Sequence, residues 1–231
     1  MARPRSSHLI LIALVLLLFG DLGVDALASD LVGHVYMQTN ETQNRIMHFG
    51  RNADGQLKLR ESIPTGGAGS GVFKPISGQE SAPNAFEGAG SVILAESNTL
   101  LFATNGGDNS VTSFRVSPDG KLTMIDRQPT GEPVTGRSGT AKSLAYRPQS
   151  RTLYVLHAFG PNHLRSYTVA EDGKLKLRPE RHSVNTATKT DRVSTQAVLS
   201  PMAASSWSTS SSTLVQPPIW TGTWSWRTPP T

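Results

Sequence analysis

Apolar and polar residues alternate along this chain in short runs, with no long segment of helical period. The runs HVYMQTN from His34, LLFATN from Leu100 and TLYVLHA from Thr152 are rich in β-branched and aromatic types and predict strands. Each is followed by a second pattern that recurs without gaps. The copies are NRIMHFGRNADGQLKL from Asn44, NSVTSFRVSPDGKLTM from Asn109 and NHLRSYTVAEDGKLKL from Asn162. All begin with Asn and carry an aromatic at the sixth position: Phe49, Phe114 and Tyr167. All place Asp-Gly at one spacing: Asp54-Gly55, Asp119-Gly120 and Asp172-Gly173.

Asp-Gly between two apolar-patterned runs is a strong hairpin signal, because glycine accepts the positive φ of a tight turn. Each copy therefore predicts two antiparallel strands, and the run upstream adds a third. GSVILAE from Gly90 and AKSLAYR from Ala141 add a fourth in two units. Four strands in a unit of about 40 to 50 residues is the signature of a propeller blade. The expected fold is all-β: a partial propeller of about three four-stranded antiparallel blades, the first lacking its inner strand.

The segments NSVTSFRVSPDGKLTMIDRQPTG and SRTLYVLHAFGPNHLRSYTVAEDGKL resemble the lactonase family, seven-bladed propellers related to bacterial 6-phosphogluconolactonase and fungal carboxymuconate cyclase. The resemblance runs from about Val32 to Pro201. It implies the fold and, for function, an exported lactonase-like hydrolase or cycloisomerase acting on a lactone of an acidic sugar or carboxylic acid. The alternatives are a non-catalytic propeller binding a ligand or protein, and an inactive truncated fragment. In closed propellers of this kind the missing inner strand is lent by the C-terminus. The His-rich Pro-His-x-His inner-strand motif of better-known lactonases is absent here, so no family catalytic residue carries over.

The ends of the chain differ from the repeats. Residues 1–28 have a basic start at Arg3 and Arg5, an apolar run from Leu9 to Phe19 and an Ala-x-Ala site at Ala26 to Ala28. That is the pattern of a secretory signal peptide, with the mature protein starting at Ser29 and secreted or periplasmic, without stable membrane insertion. At the other end, RVSTQAVLSP from Arg192 resembles a fourth inner strand, yet no Asp-Gly follows. Residues 202–231 hold all four tryptophans, Trp207, Trp220, Trp224 and Trp226, among Ser, Thr and Pro. This segment is expected to be disordered or frame-shifted, a genuine extracellular tail being the alternative, and residues 29–201 to form the partial propeller. Open blade edges are expected to favour self-association.

The chain has no cysteine, which removes disulfides, thiolate metal sites and cysteine nucleophiles together. Its net charge of +5 comes largely from residues on the outer strands, among them Arg51, Lys58, Arg60, Lys121, Arg127, Lys174, Lys176 and Arg178. No aromatics interleave with them at base-stacking spacing, so no nucleic-acid groove is expected. GGAGSGVFK at Gly66 lacks the ending of a phosphate loop, the histidines are not at metal-ligand spacing, and the Asp-Gly aspartates do not form a calcium loop. No cofactor or metal is expected.

In a four-strand meander the Asp-Gly turns gather at one end, and the longer, chemically varied loops at the other. Binding usually resides on such varied loops. The candidate site residues from that face are Asn105, as a ligand-binding group, and His157, Glu87 and Arg137 as catalytic groups. His157 or Glu87 would supply a base or orient water, and Arg137 would attract an acidic substrate. The partner expected is a small acidic lactone or an unidentified protein. For each residue a purely structural role weighs more: turn capping for Asn, internal hydrogen bonding for His, solvation for Glu and Arg.

Overall fold

The computed structural model describes residues 31–69, 89–133 and 139–200. The leader 1–28, the tail 202–231, Glu87 and Arg137 lie outside them.

Among the described residues eleven strands form three antiparallel meanders. Blade one holds β1 (Leu31–Gln38), β2 (Arg45–Asn52) and β3 (Leu57–Pro64). Blade two holds β4 (Val92–Ala95), β5 (Leu100–Asn105), β6 (Ser110–Val116) and β7 (Leu122–Pro129). Blade three holds β8 (Gly139–Arg147), β9 (Thr152–Phe159), β10 (Leu164–Val169) and the short β11 (Leu175–Leu177). The described residues contain no helix beyond one 3-10 turn, Pro148–Ser150. By register, β1 is the counterpart of β5 and β9: Tyr36 faces His48, Phe102 faces Ser113 and Tyr154 faces Ser166. Blade one therefore has no counterpart of β4 or β8 among the described residues, as its sequence predicts.

The three Asp-Gly turns have one construction. Gly55, Gly120 and Gly173 take φ of +88°, +80° and +91°, and their N–H groups donate to the carbonyls of Asn52, Ser117 and Ala170. Each aspartate accepts an N–H two residues on, from Gln56, Lys121 or Lys174. The positive φ is a backbone requirement that a Cβ would strain, which is why the pair repeats.

The core lies between the sheets. Every residue of β5 is buried, because blade two is covered on both faces and the period of two alternates the partner instead of the exposure. Leu101 and Ala103 join Ile46, Phe114 and Leu122 in the cluster between blades one and two. Leu100 and Phe102 join Leu144, Leu153, Val155 and Tyr167 in a larger cluster between blades two and three. The repeated aromatic of the third strand thus points at the preceding blade. In blade one the same face carries Phe49 beside Val35, Met37 and Leu59, and the last three are exposed.

The described part of the segment resembling a fourth inner strand forms none; residues 191–200 have no regular structure. They cross back over blade three, where Arg192 O lies 3.0 Å from His163 Nε2, Ser194 N–H donates to Ala158 O and Ala197 N–H donates to Ser143 Oγ. A strand needs a ladder partner along its length, and these isolated bonds do not make one.

Candidate functional site

Successive blades are joined at both ends by polar latches that occupy equivalent positions. At the Asp-Gly end, Glu61 Oε1 accepts the N–H of Leu122 at 2.9 Å, and Asp126 Oδ2 accepts the N–H of Leu175 at 2.9 Å. At the opposite end, Thr65 Oγ1 donates to Asn105 Oδ1 at 2.7 Å, while Thr130 Oγ1 donates to His157 Nε2 at 2.8 Å. Each carboxylate or hydroxyl leaves the last strand of one blade for the next blade.

Asn105 and His157 therefore hold equivalent places, as the repeat predicts, and both are wholly buried. The carbonyl of Asn105 also accepts from Asn44 Nδ2 at 2.8 Å, and its amide donates to Ser110 Oγ and Thr112 Oγ1, both at 3.0 Å. That exhausts its ordinary hydrogen-bonding capacity. His157 Nδ1 lies 3.2 Å from the carbonyl of His163 and donates to it, leaving Nε2 to accept from Thr130. Burial lowers its pKa to about 4, so the imidazole stays neutral near pH 7. Beside it, Arg165 and Glu132 form a buried ion pair at 2.8 Å, and Asn162 Nδ2 donates to the second oxygen of Glu132. Closer to the surface Arg127 pairs with Asp108, whose carboxylate also accepts the N–H of Ala68. The four residues expected at this face are not brought together among the described residues: two are internal, and Glu87 and Arg137 lie outside.

A different cluster stands at the Asp-Gly end. His34 Nδ1 lies 3.0 Å from His48 Nε2, and His48 Nδ1 lies 3.3 Å from Glu61 Oε1. His48 is fully buried and stacks on Tyr36, whose hydroxyl donates to the carbonyl of Gly120 at 2.6 Å. Desolvation is the largest influence on His48 and lowers its pKa, partly offset by its hydrogen bond to Glu61. A neutral His48 facing a carboxylate carries its proton on Nδ1. Its Nε2 then accepts from His34 Nδ1, and the lone pair of the sequence emerges on His34 Nε2.

His34 opens onto a cleft of about 450 Å³ between blades one and two, walled by Tyr36, Leu94, Val116 and Pro118 and rimmed by the turn Ser97 to Thr99. The spacing of the histidines along the chain gives no hint of this cluster. The signal that would have found it is the repeat itself, since Ser113 and Ser166 stand where His48 does. Among the described residues no group of three or more His, Asp or Glu is placed to hold a metal ion.

The family described as Lactonase, 7-bladed β-propeller, matches residues 29–138. Among solved structures, the periplasmic gluconolactonase of Pseudomonas aeruginosa is 21% identical, with a TM-score of 0.47 over 70% of this chain and 40% of that one. A putative 6-phosphogluconolactonase from Bacteroides fragilis is 19% identical, with a TM-score of 0.49 over 68% of this chain and 37% of that one. A hypothetical selenium-binding protein from Sulfolobus tokodaii is 12% identical, with a TM-score of 0.47 over 71% and 40% of the two chains. This chain thus spans about two fifths of the length of these structures. No curated protein matches it.

Proposed function

From the match of residues 29–138 to the lactonase seven-bladed β-propeller family, we propose that the protein is an exported lactonase-like enzyme that hydrolyses or isomerises a lactone of an acidic sugar or carboxylic acid. The observation that carries the reading is the family match, which spans blade one and blade two. The working residues under this proposal are Glu87, as base or water-orienting group, and Arg137, as the cation for an acidic substrate. Asn105 and His157 become supports for the loop face.

The leader pattern of residues 1–28 supports export to the periplasm or the exterior. No helix among the described residues is long and apolar enough to cross a membrane.

Turnover of a panel of neutral and acidic lactones by the full chain tests the proposal. Activity on an acidic lactone that falls by about tenfold or more in Glu87→Ala, and that rises in KM in Arg137→Ala, supports it. A flat panel from a folded protein removes it.

The saturation of Asn105 and His157 by internal hydrogen bonds favours a second reading: a propeller that binds a ligand or protein without turnover. Equilibrium binding of a lactone with no product formed is the result expected of that reading.

A further inference from the structure

We propose that the cleft between blades one and two is a binding site for an uncharged, hydroxylated ring of monosaccharide size, with His34 Nε2 accepting a hydrogen bond from a ligand hydroxyl. This does not rest on the lactonase reading, because it concerns binding at the Asp-Gly end and requires no turnover.

Position in the repeat supplies the first argument. His34 is the counterpart of Leu100 and Thr152, each facing the residue equivalent to Gly50, and His48 is the counterpart of Ser113 and Ser166. Blades two and three fold with neither histidine. At the next junction Gly173 packs on Leu100, as Gly120 packs on His34. The scaffold accepts an apolar side chain here, so packing does not require the histidine pair.

Tautomer supplies the second argument. Glu61 Oε1 already accepts the N–H of Leu122 and faces His48 Nδ1, so the chain Glu61, His48, His34 orients each imidazole in turn. The outcome is a bare lone pair on His34 Nε2, for which the described residues supply no donor. His48 and Glu61 are positioning residues in this scheme; His34 touches the ligand.

The walls name the ligand class. No Lys, Arg, Asp or Glu is among the described residues lining the cleft, which disfavours an ionic ligand that would have to shed its hydration unpaired. Leu94, Val116, Pro118 and Tyr36 suit a ring face, and Ser97, Asn98, Thr99 and Ser117 suit hydroxyls. The rim is held in an unusual backbone: Glu96, Ser97 and Asn98 take φ of +50°, +52° and +67° in succession. Non-glycine residues adopt that region at a cost and cluster at ligand sites. Blade three fixes this turn through Arg151 and Tyr146, both of which bond Glu96.

Nitrogen-15 spectra of the histidine side chains of the full chain test the proposal, with methyl β-D-glucopyranoside as the neutral probe and glucuronate as its charged counterpart. The expected result is a pyridine-type His34 Nε2 that shifts saturably with the glucoside and less with glucuronate. By isothermal titration calorimetry His34→Leu, which installs the residue of blade two, weakens glucoside binding by about tenfold or more, while the variant still unfolds cooperatively at a temperature lowered by the lost donor to buried His48 Nε2. His48→Ser, which installs the residue of blades two and three, converts His34 to a mixture of tautomers. No saturable shift with the glucoside, an equal glucoside affinity in His34→Leu, tighter binding of glucuronate, or an unchanged His34 tautomer in His48→Ser would overturn it.

Discussion

The imidazoles of His34 and His48 face one another across neighbouring strands, Nδ1 to Nε2 at 3.0 Å, where blade two places Leu100 and Ser113. The pair lies within blade one and presents His34 and Tyr36 to Gly120 of blade two, whereas at the next junction Leu100 meets Gly173 on the same backbone plan. Several measurable consequences belong to the junctions.

Thr130→Val should destabilise the protein by about 1 to 3 kcal/mol, since it leaves the buried Nε2 of His157 without its donor. Thr130→Ser should restore most of the loss. Thr65→Val should behave similarly through Asn105, which retains one other donor to its carbonyl, so the cost should be at the lower end. Chemical denaturation of the variants measures both.

His157 should make the fold acid-sensitive in a defined window. Its pKa falls from 6.5 in the unfolded chain to about 4 in the fold, so the unfolded state binds the extra proton between those values. Stability should be complete above pH 6.5, decline as pH falls toward 4 and level off below. The total for this residue is roughly 3 kcal/mol. His157→Asn, the residue type of the equivalent site in blade two, should flatten that dependence, and a series of unfolding curves across the window decides it.

Gly120→Ala and Gly55→Ala should separate two costs that usually arrive together. Both residues have positive φ, yet a Cβ on Gly55 meets nothing within 4 Å, whereas a Cβ on Gly120 stands 2.4 Å from His34 Nδ1. Gly55→Ala should cost about 1 kcal/mol of backbone strain. Gly120→Ala should cost about 1 to 3 kcal/mol more, because the His34 ring must move. Urea midpoints at constant slope provide the comparison.

We propose self-association through the outer face of blade one. Val35, Met37 and Leu59 are exposed there, beside Phe49 whose counterparts Phe114 and Tyr167 are fully buried against a preceding blade. A second copy presents a face of the same construction. Light scattering should report species larger than one chain at micromolar concentration, shifting toward the monomer in Met37→Lys with Leu59→Lys. A monodisperse monomer of the unaltered chain would contradict it.

The blades were legible because their signals are local. Asp54-Gly55, Asp119-Gly120 and Asp172-Gly173 each dictate a turn, and the alternating runs around them need only their own neighbours to become strands. The equivalence of Asn105 and His157 was legible for the same reason. A structural role was legible too, but not its partners, since Thr65 and Thr130 approach from the preceding blade. The His34 cluster was hidden because its members come from three strands, and Glu61 serves first as a latch. Arg192 to Ser200 carried a strand pattern without a partner strand, and the pattern alone did not fold it.

The unequal junctions also set an order of opening. Blades two and three share the larger apolar cluster and are cross-tied by Arg151, Tyr146 and the Arg165–Glu132 pair. Blade one is fastened by a smaller cluster and by the bonds of Tyr36 to Gly120 and Glu61 to Leu122. Amide hydrogens of β1 to β3 should therefore exchange with solvent before those of β5, β6 and β9. A molecule seated in the cleft would slow that exchange, acting as a removable rivet on the most loosely fastened part of the chain.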